Sequence, residues 1–106
     1  MRPFASLRRS AEFAWLRRHG RRAGAGSLTL YQAEAGANLR RSLVGISVGK
    51  PVGTAVARNR VRRRVAAILD EALTGRRMRL LVVARPGAAT VPFAALRRDL
   101  VRALDQ

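Results

Sequence analysis

The apolar positions change period several times along the chain, and each change marks an element. Between Ala11 and about His19, Phe13 and Leu16 fall on one side of a short helix with Arg17 beside them, while Trp15 points elsewhere. Ser10 can cap that helix and Gly20 can end it. Gly20 to Gly26 is rich in glycine and arginine and reads as a mobile turn. Ser27 to Gln32 then alternates, with Leu28 and Leu30 on one face and Thr29 and Tyr31 on the other. Arg41 to Gly49 alternates again: Val44, Ile46 and Val48 against Leu43, Gly45 and Ser47. The segment between them, Glu34 to Arg40, holds Gly36 and Asn38 and reads as a hairpin connection. If those strands pair with apolar sides together, Tyr31 shares the second face with Gly45 and Ser47. Small residues there leave room for something to approach closely.

Nothing from Ala55 to Thr74 breaks a helix. Thr54 is a good N-cap, and Gly75 can end the helix in the left-handed conformation. At about 100° per residue, Val61, Val65, Ile68, Leu69 and Ala72 form one stripe. Asn59, Arg60 and Arg63 lie opposite, with Arg62 and Arg64 towards the rims. Met78 to Ala84 contains the unbroken run Leu80 to Val83, typical of a strand buried on both faces. Arg85-Pro86-Gly87 is a turn. Thr90 can cap a last helix, with Pro92 in its first turn, and Phe93, Leu96, Leu100 and Leu104 recur on its inner side. Met1 to Arg9 is basic and reads as extended, flexible or loosely docked.

The order is therefore helix, strand, strand, helix, strand, helix, with room for a short strand near position 53. That predicts a single-domain α+β sandwich over residues 1–106, built on one sheet, without internal repeats.

Charge changes the picture more than composition does. The chain of 106 residues carries 22 basic and 6 acidic side chains, a formal net charge of +16, and Lys50 is its only lysine. Self-repulsion on that scale favours a polyanionic partner, and arginine offers phosphate a fork and bases a planar face. Nucleic acid is the first expectation and an anionic membrane surface the second. No stretch approaches the about 20 apolar residues that span a bilayer, and the N-terminus lacks a secretory pattern. With no cysteine, disulfides and thiolate zinc sites are excluded, and a cytoplasmic location is the default.

Five arginines (Arg58, Arg60, Arg62, Arg63 and Arg64) surround Asn59 in the first half of the long helix, and Asp70 and Glu71 come only later. Cations near a helix N-terminus oppose the macrodipole, and a bound polyanion reverses that sign. A solvated surface run is the plainer account, but such runs normally mix signs.

The means for protein-based catalysis are missing. His19 is the only histidine, and it reads as a helix-end residue. Asp70 and Glu71 are adjacent on a helix, so their side chains diverge. Glu12, Glu34, Asp99 and Asp105 are scattered without metal-ligand spacing. No catalytic residue and no metal ligand is assigned.

Gly45-Ile46-Ser47-Val48, followed by Lys50, Gly53, Ala55-Val56 and Arg58-Asn59-Arg60, resembles the protein subunit of bacterial ribonuclease P. Glu12-Phe13, His19-Gly20, Leu30-Tyr31 and Ala84-Arg85 fit the same family by order and spacing, so the resemblance covers nearly the whole chain. It implies a left-handed crossover around the basic helix, as in a known ribosomal-protein domain and against the usual hand. It implies that Lys50, Arg58, Asn59, Arg60, Arg62 and Arg63 bind the catalytic RNA, one protein to one RNA. It implies a cleft for the 5′ leader of precursor tRNA, with Phe13, Tyr31 and Ser47 in it. The chemistry would then belong to the RNA, with Mg2+ held by RNA and substrate and not by a protein cage. Three positions depart from the family pattern. Arg17 stands where a second cleft aromatic is common, and a guanidinium can also stack on a base. Pro51 stands where a second lysine is common, and Ala66 where a basic residue is common. The rival expectation is a basic structural protein of the ribosome or another ribonucleoprotein. A DNA-binding helix-turn-helix fits badly, because strands flank the basic helix.

Overall fold

A computed structural model describes residues 1–37 and 39–106, and its sheet is organised around the most apolar strand. The elements are β1 (Phe4–Ser6), α1 (Ser10–His19), β2 (Arg21–Ala25), β3 (Leu28–Glu34), β4 (Ser42–Val48), α2 (Ala55–Ala72), β5 (Met78–Ala84) and α3 (Phe93–Leu104). Short 3-10 turns at Lys50–Val52 and Pro86–Ala89 lead into α2 and α3. The strands lie in the order β1-β4-β5-β3-β2.

The expected hairpin between β3 and β4 does not form. β5 lies between them, antiparallel to β3 and parallel to β4. The run Leu80–Val83 explains this, because only a central strand buries both faces. Leu80, Leu81 and Val82 are fully buried. Asn38, one of the residues that suggested the hairpin, lies outside the described residues. The same-face expectation survives the change of topology. Tyr31 pairs with Leu81, which pairs with Gly45, so all three sit in one row.

Two further segments differ from the sequence reading. The expected mobile turn at Gly20 to Gly26 contains strand β2, paired with β3 and buried at Ala23. Near position 53 a 3-10 turn replaces the short strand. Pro51 cannot donate to a ladder, and Gly53 takes φ 150°, outside strand geometry. At the chain start, Phe4–Ser6 pairs in parallel with Ser42–Val44.

Helix ends follow the capping chemistry in part. Thr54 Oγ1 accepts from the Ala57 N–H at 3.1 Å. Gly75 takes φ 77° just past α2. Ser10 is instead the first residue of α1, without a side-chain cap. Thr90 Oγ1 donates to the Gly87 carbonyl at 3.2 Å and so closes the preceding turn, while Pro92 occupies the cap position of α3.

The sheet has two unequal faces. On one, α2 and α3 bury Val61, Val65, Ile68, Leu69, Leu96, Leu100 and Leu104 against Leu28, Leu30, Leu80 and Val82. Phe93 departs from its expected inner position and is 41% exposed. On the other face α1 covers Leu81 through Leu16 and the partly buried Phe13, joined by Leu7 from the segment before the helix.

Candidate nucleic-acid interface

The apolar stripe of α2 turns its basic side outward. Asn59, Arg60, Arg62 and Arg63 are exposed, as is Lys50 in the turn before the helix. Arg58 is half-buried, and its Nε is buried without a partner among the described residues. Arg64 is used differently: its Nη1 donates to the Val91 carbonyl at 3.3 Å and ties α2 to the approach to α3. The acids later in α2 are already matched. Asp70 takes a two-pronged contact from Arg2, at 2.7 and 3.0 Å, and Glu71 lies 3.6 Å from Arg97. The two carboxylates thus point to different partners. Among the described residues, Arg58, Arg60, Arg62 and Arg63 enter no ion pair, so their charge stays available to a polyanion.

The register of the sheet builds the second part of the site. On the α1 side, one row reads Gly45, Leu81, Tyr31, Arg22, and the next reads Ser47, Val83, Thr29, Gly24. Phe13 lies directly on Gly45. A Cβ built there would stand 2.6 Å from the Phe13 Cε1, so glycine is what admits the ring. Gly20 packs over Tyr31, where a Cβ would come within 3.2 Å of the Tyr31 Cβ. Phe13, Tyr31 and Ser47 are all partly exposed, and Arg17 is exposed on the Phe13 flank of α1.

These two parts meet at the edge of β4. A depression of about 500 Å³ runs between them, floored by Val44, Gly45 and Ile46. Phe13 and Leu7 line one side, and Arg62 and Arg63 the other. Arg2, paired with Asp70 and 4.8 Å over the Phe4 ring, closes one end. Phe13 is therefore brought together with Arg62 and Arg63. Tyr31, further along the Gly45 row, and Ser47, in the next row, lie outside the depression, as do Lys50, Arg58, Asn59 and Arg60.

Sequence reasoning missed Arg85. Its Nε and Nη2 donate to Thr29 Oγ1 at 3.0 and 2.6 Å, which holds the guanidinium on the Tyr31 face of the sheet. Alternation placed Thr29 on that face, but a contact spanning 56 positions leaves no local signal. The other flank of α1 carries an aromatic stack. Trp15 stacks on His19 with centroids 4.9 Å apart, and the Arg79 guanidinium lies 4.5 Å from the Trp15 ring centre. No three His, Asp or Glu among the described residues come together to hold a metal ion, and no helix is long and apolar enough to cross a membrane.

A half-covered sheet face beside an unneutralised arginine helix marks an α+β protein of the nucleic-acid-binding class. A family model described as Ribonuclease P matches residues 1–106. The chain is 37% identical over 100 residues to the ribonuclease P protein component of Acidothermus cellulolyticus, covering 92% of this chain and 83% of that one. It is 46% identical to the protein component of Thermus thermophilus, over 93% of this chain and 57% of that longer one. In fold it is similar to the Staphylococcus aureus RNase P protein, with a TM-score of 0.84, 21% identity and coverage of 94% and 92%. The Thermotoga maritima RNase P protein gives 0.82, 22% identity and coverage of 94% and 97%. The chain belongs to the ribonuclease P protein family. None of these likenesses supports the rival ribosomal reading.

Proposed function

We propose that this chain is the protein subunit of a ribonuclease P that removes the 5′ leader of precursor tRNA. In this reading the exposed side of α2, with Lys50, Arg58, Asn59, Arg60, Arg62 and Arg63, binds the catalytic RNA, one protein per RNA. Phe13, Arg17, Tyr31 and Ser47 receive the single-stranded leader. Arginine forks hold phosphates, and the aromatic faces stack bases without strong sequence preference. The protein supplies position, because its acids are scattered or already paired. Magnesium would sit on RNA and substrate phosphates, where bound metal activates water and stabilises the leaving oxygen. The cytoplasm is the compartment in which both RNAs would be met.

The observation that carries this reading is the ring of Phe13 seated on Gly45 in the same depression as Arg62 and Arg63. Reconstitution tests it: the protein is added to a bacterial ribonuclease P RNA at low magnesium, and cleavage of the 5′ leader is followed. The protein should restore cleavage that the RNA alone performs poorly under those conditions. Absence of any stimulation, with the RNA active at high magnesium, would refute the assignment.

A further inference from the structure

The sheet face that carries Tyr31 does not end at Tyr31. β2 adds Arg22 to the Tyr31 row and Gly24 to the Thr29 row. Arg22 is exposed, and among the described residues it enters no ion pair and no side-chain hydrogen bond. A Cβ at Gly24 would meet nothing within 4 Å, so the row stays open at this end. Arg85, pinned to Thr29, contributes a second guanidinium to the same face. The carboxylates lie elsewhere. Glu12 is on the opposite flank of α1, in a depression with Trp15 and Arg79. Glu34 points to the face of Gln32, whose side chain donates to the Ala103 carbonyl in α3. Asp99, on α3, lies 4.0 Å from Arg98 and against Gly26 in the β2–β3 turn, past the strand end from Arg22.

We propose that the leader path crosses the whole sheet, from Ser47 on β4 to the edge strand β2, and that Arg22 holds a phosphate of the nucleotides at that far end. The proposal rests on the leader-binding reading above and extends it by one strand and one cation. The distance from β4 to β2 is three strand spacings, roughly 14 Å. The leader nucleotides that reach Arg22 are therefore not those over Phe13. The row also supplies its own control. Arg21 is the next residue, with the same charge and exposure, but strand alternation turns it to the opposite face. There it lines a different depression with Gln32, Glu34 and Arg76. A basic residue that merely guards an open sheet edge would serve equally well on either face.

The test uses the protein assembled with a ribonuclease P RNA and three substrates. These are precursor tRNA with a leader long enough to cross the sheet, precursor with a single-nucleotide leader, and mature tRNA. Arg22→Gln should weaken binding of the long-leader precursor by roughly three- to tenfold and leave the other two unchanged. Its salt slope on the long-leader substrate should fall by about 0.7, the value for one single-strand phosphate contact. Arg21→Gln should show no dependence on leader length. Equal losses for Arg21→Gln and Arg22→Gln, or a loss on mature tRNA matching that on precursor, would overturn the proposal. So would an unchanged Arg22→Gln. Phe13→Ala, measured alongside, separates the two levels. If it weakens leader binding and Arg22→Gln does not, the extension alone fails. If neither does, the leader-binding reading fails with it.

Discussion

The two faces of the sheet were put to different uses. Under α2 and α3, side chains interdigitate until Leu80, Leu96 and Leu100 see no solvent. On the α1 side, that helix and Leu7 cover Leu81 and leave Ser47 and Val83 only half-buried beside them. A chain this short has limited apolar surface to bury, and here most of it is buried on the α2 and α3 side. The other side can then stay partly uncovered, with aromatic rings and guanidinium groups around a floor of small residues. Stability and recognition are thereby separated onto opposite sides of the same strands. A mutation should act mainly on one or the other.

That division can be broken most forcefully from the covered side. Leu100→Ala removes a side chain that is fully buried in the main core. It should cost about 2–5 kcal/mol in urea unfolding, while the folded fraction still discriminates precursor from mature tRNA.

Gly45→Ala probes the half-covered side. The new methyl group would fall within 3.0 Å of both the Phe13 ring and Leu7. Phe13 should swing off the floor, costing about 1–3 kcal/mol of precursor affinity, the worth of one base stack. The fold should persist, as judged by circular dichroism. A variant that loses stability but keeps leader affinity would place Phe13 in the core and out of the cleft.

Smaller effects refine the division at α2. Thr54→Ala removes the cap bond to the Ala57 N–H and should lower stability by about 1 kcal/mol in thermal melts. Arg63→Ala should leave melting nearly unchanged and lower the salt slope of RNA binding by about 0.7 to 0.9. An unchanged slope would mean that Arg63 touches no phosphate.

How far these features were legible in the sequence depended on the range of the interactions that set them. α2 could be read almost to the residue, because its cap, stripe and stop are local. Leu80 to Val83 announced a doubly buried strand, but its neighbours could not be read from it. The choice of β5 over a direct β3–β4 hairpin is settled by burial across the sheet, far from any turn signal. β2 was missed because Arg21, Arg22 and Gly24 mask its two small inward positions, Ala23 and Ala25. Phe93 was misplaced because helical spacing assigns a stripe without saying where the helix begins. Side chains lean towards the N-terminus, so a first-turn residue reaches past the end of its helix. In the candidate site, alternation placed Tyr31 and Ser47 on one face, while Phe13 on α1 came from the family resemblance. Arg85 and Arg22 needed the actual strand register.

One measurement bears most directly on the division between the faces. The affinities of the assembled ribonucleoprotein for precursor and for mature tRNA are compared with Phe13 intact and with Phe13→Ala. Precursor affinity should fall about tenfold or more, in line with a lost base stack, while mature tRNA binds as before. Equal losses on the two substrates, or none on either, would show that Phe13 only packs against the sheet and that the half-covered face is not where the leader lies.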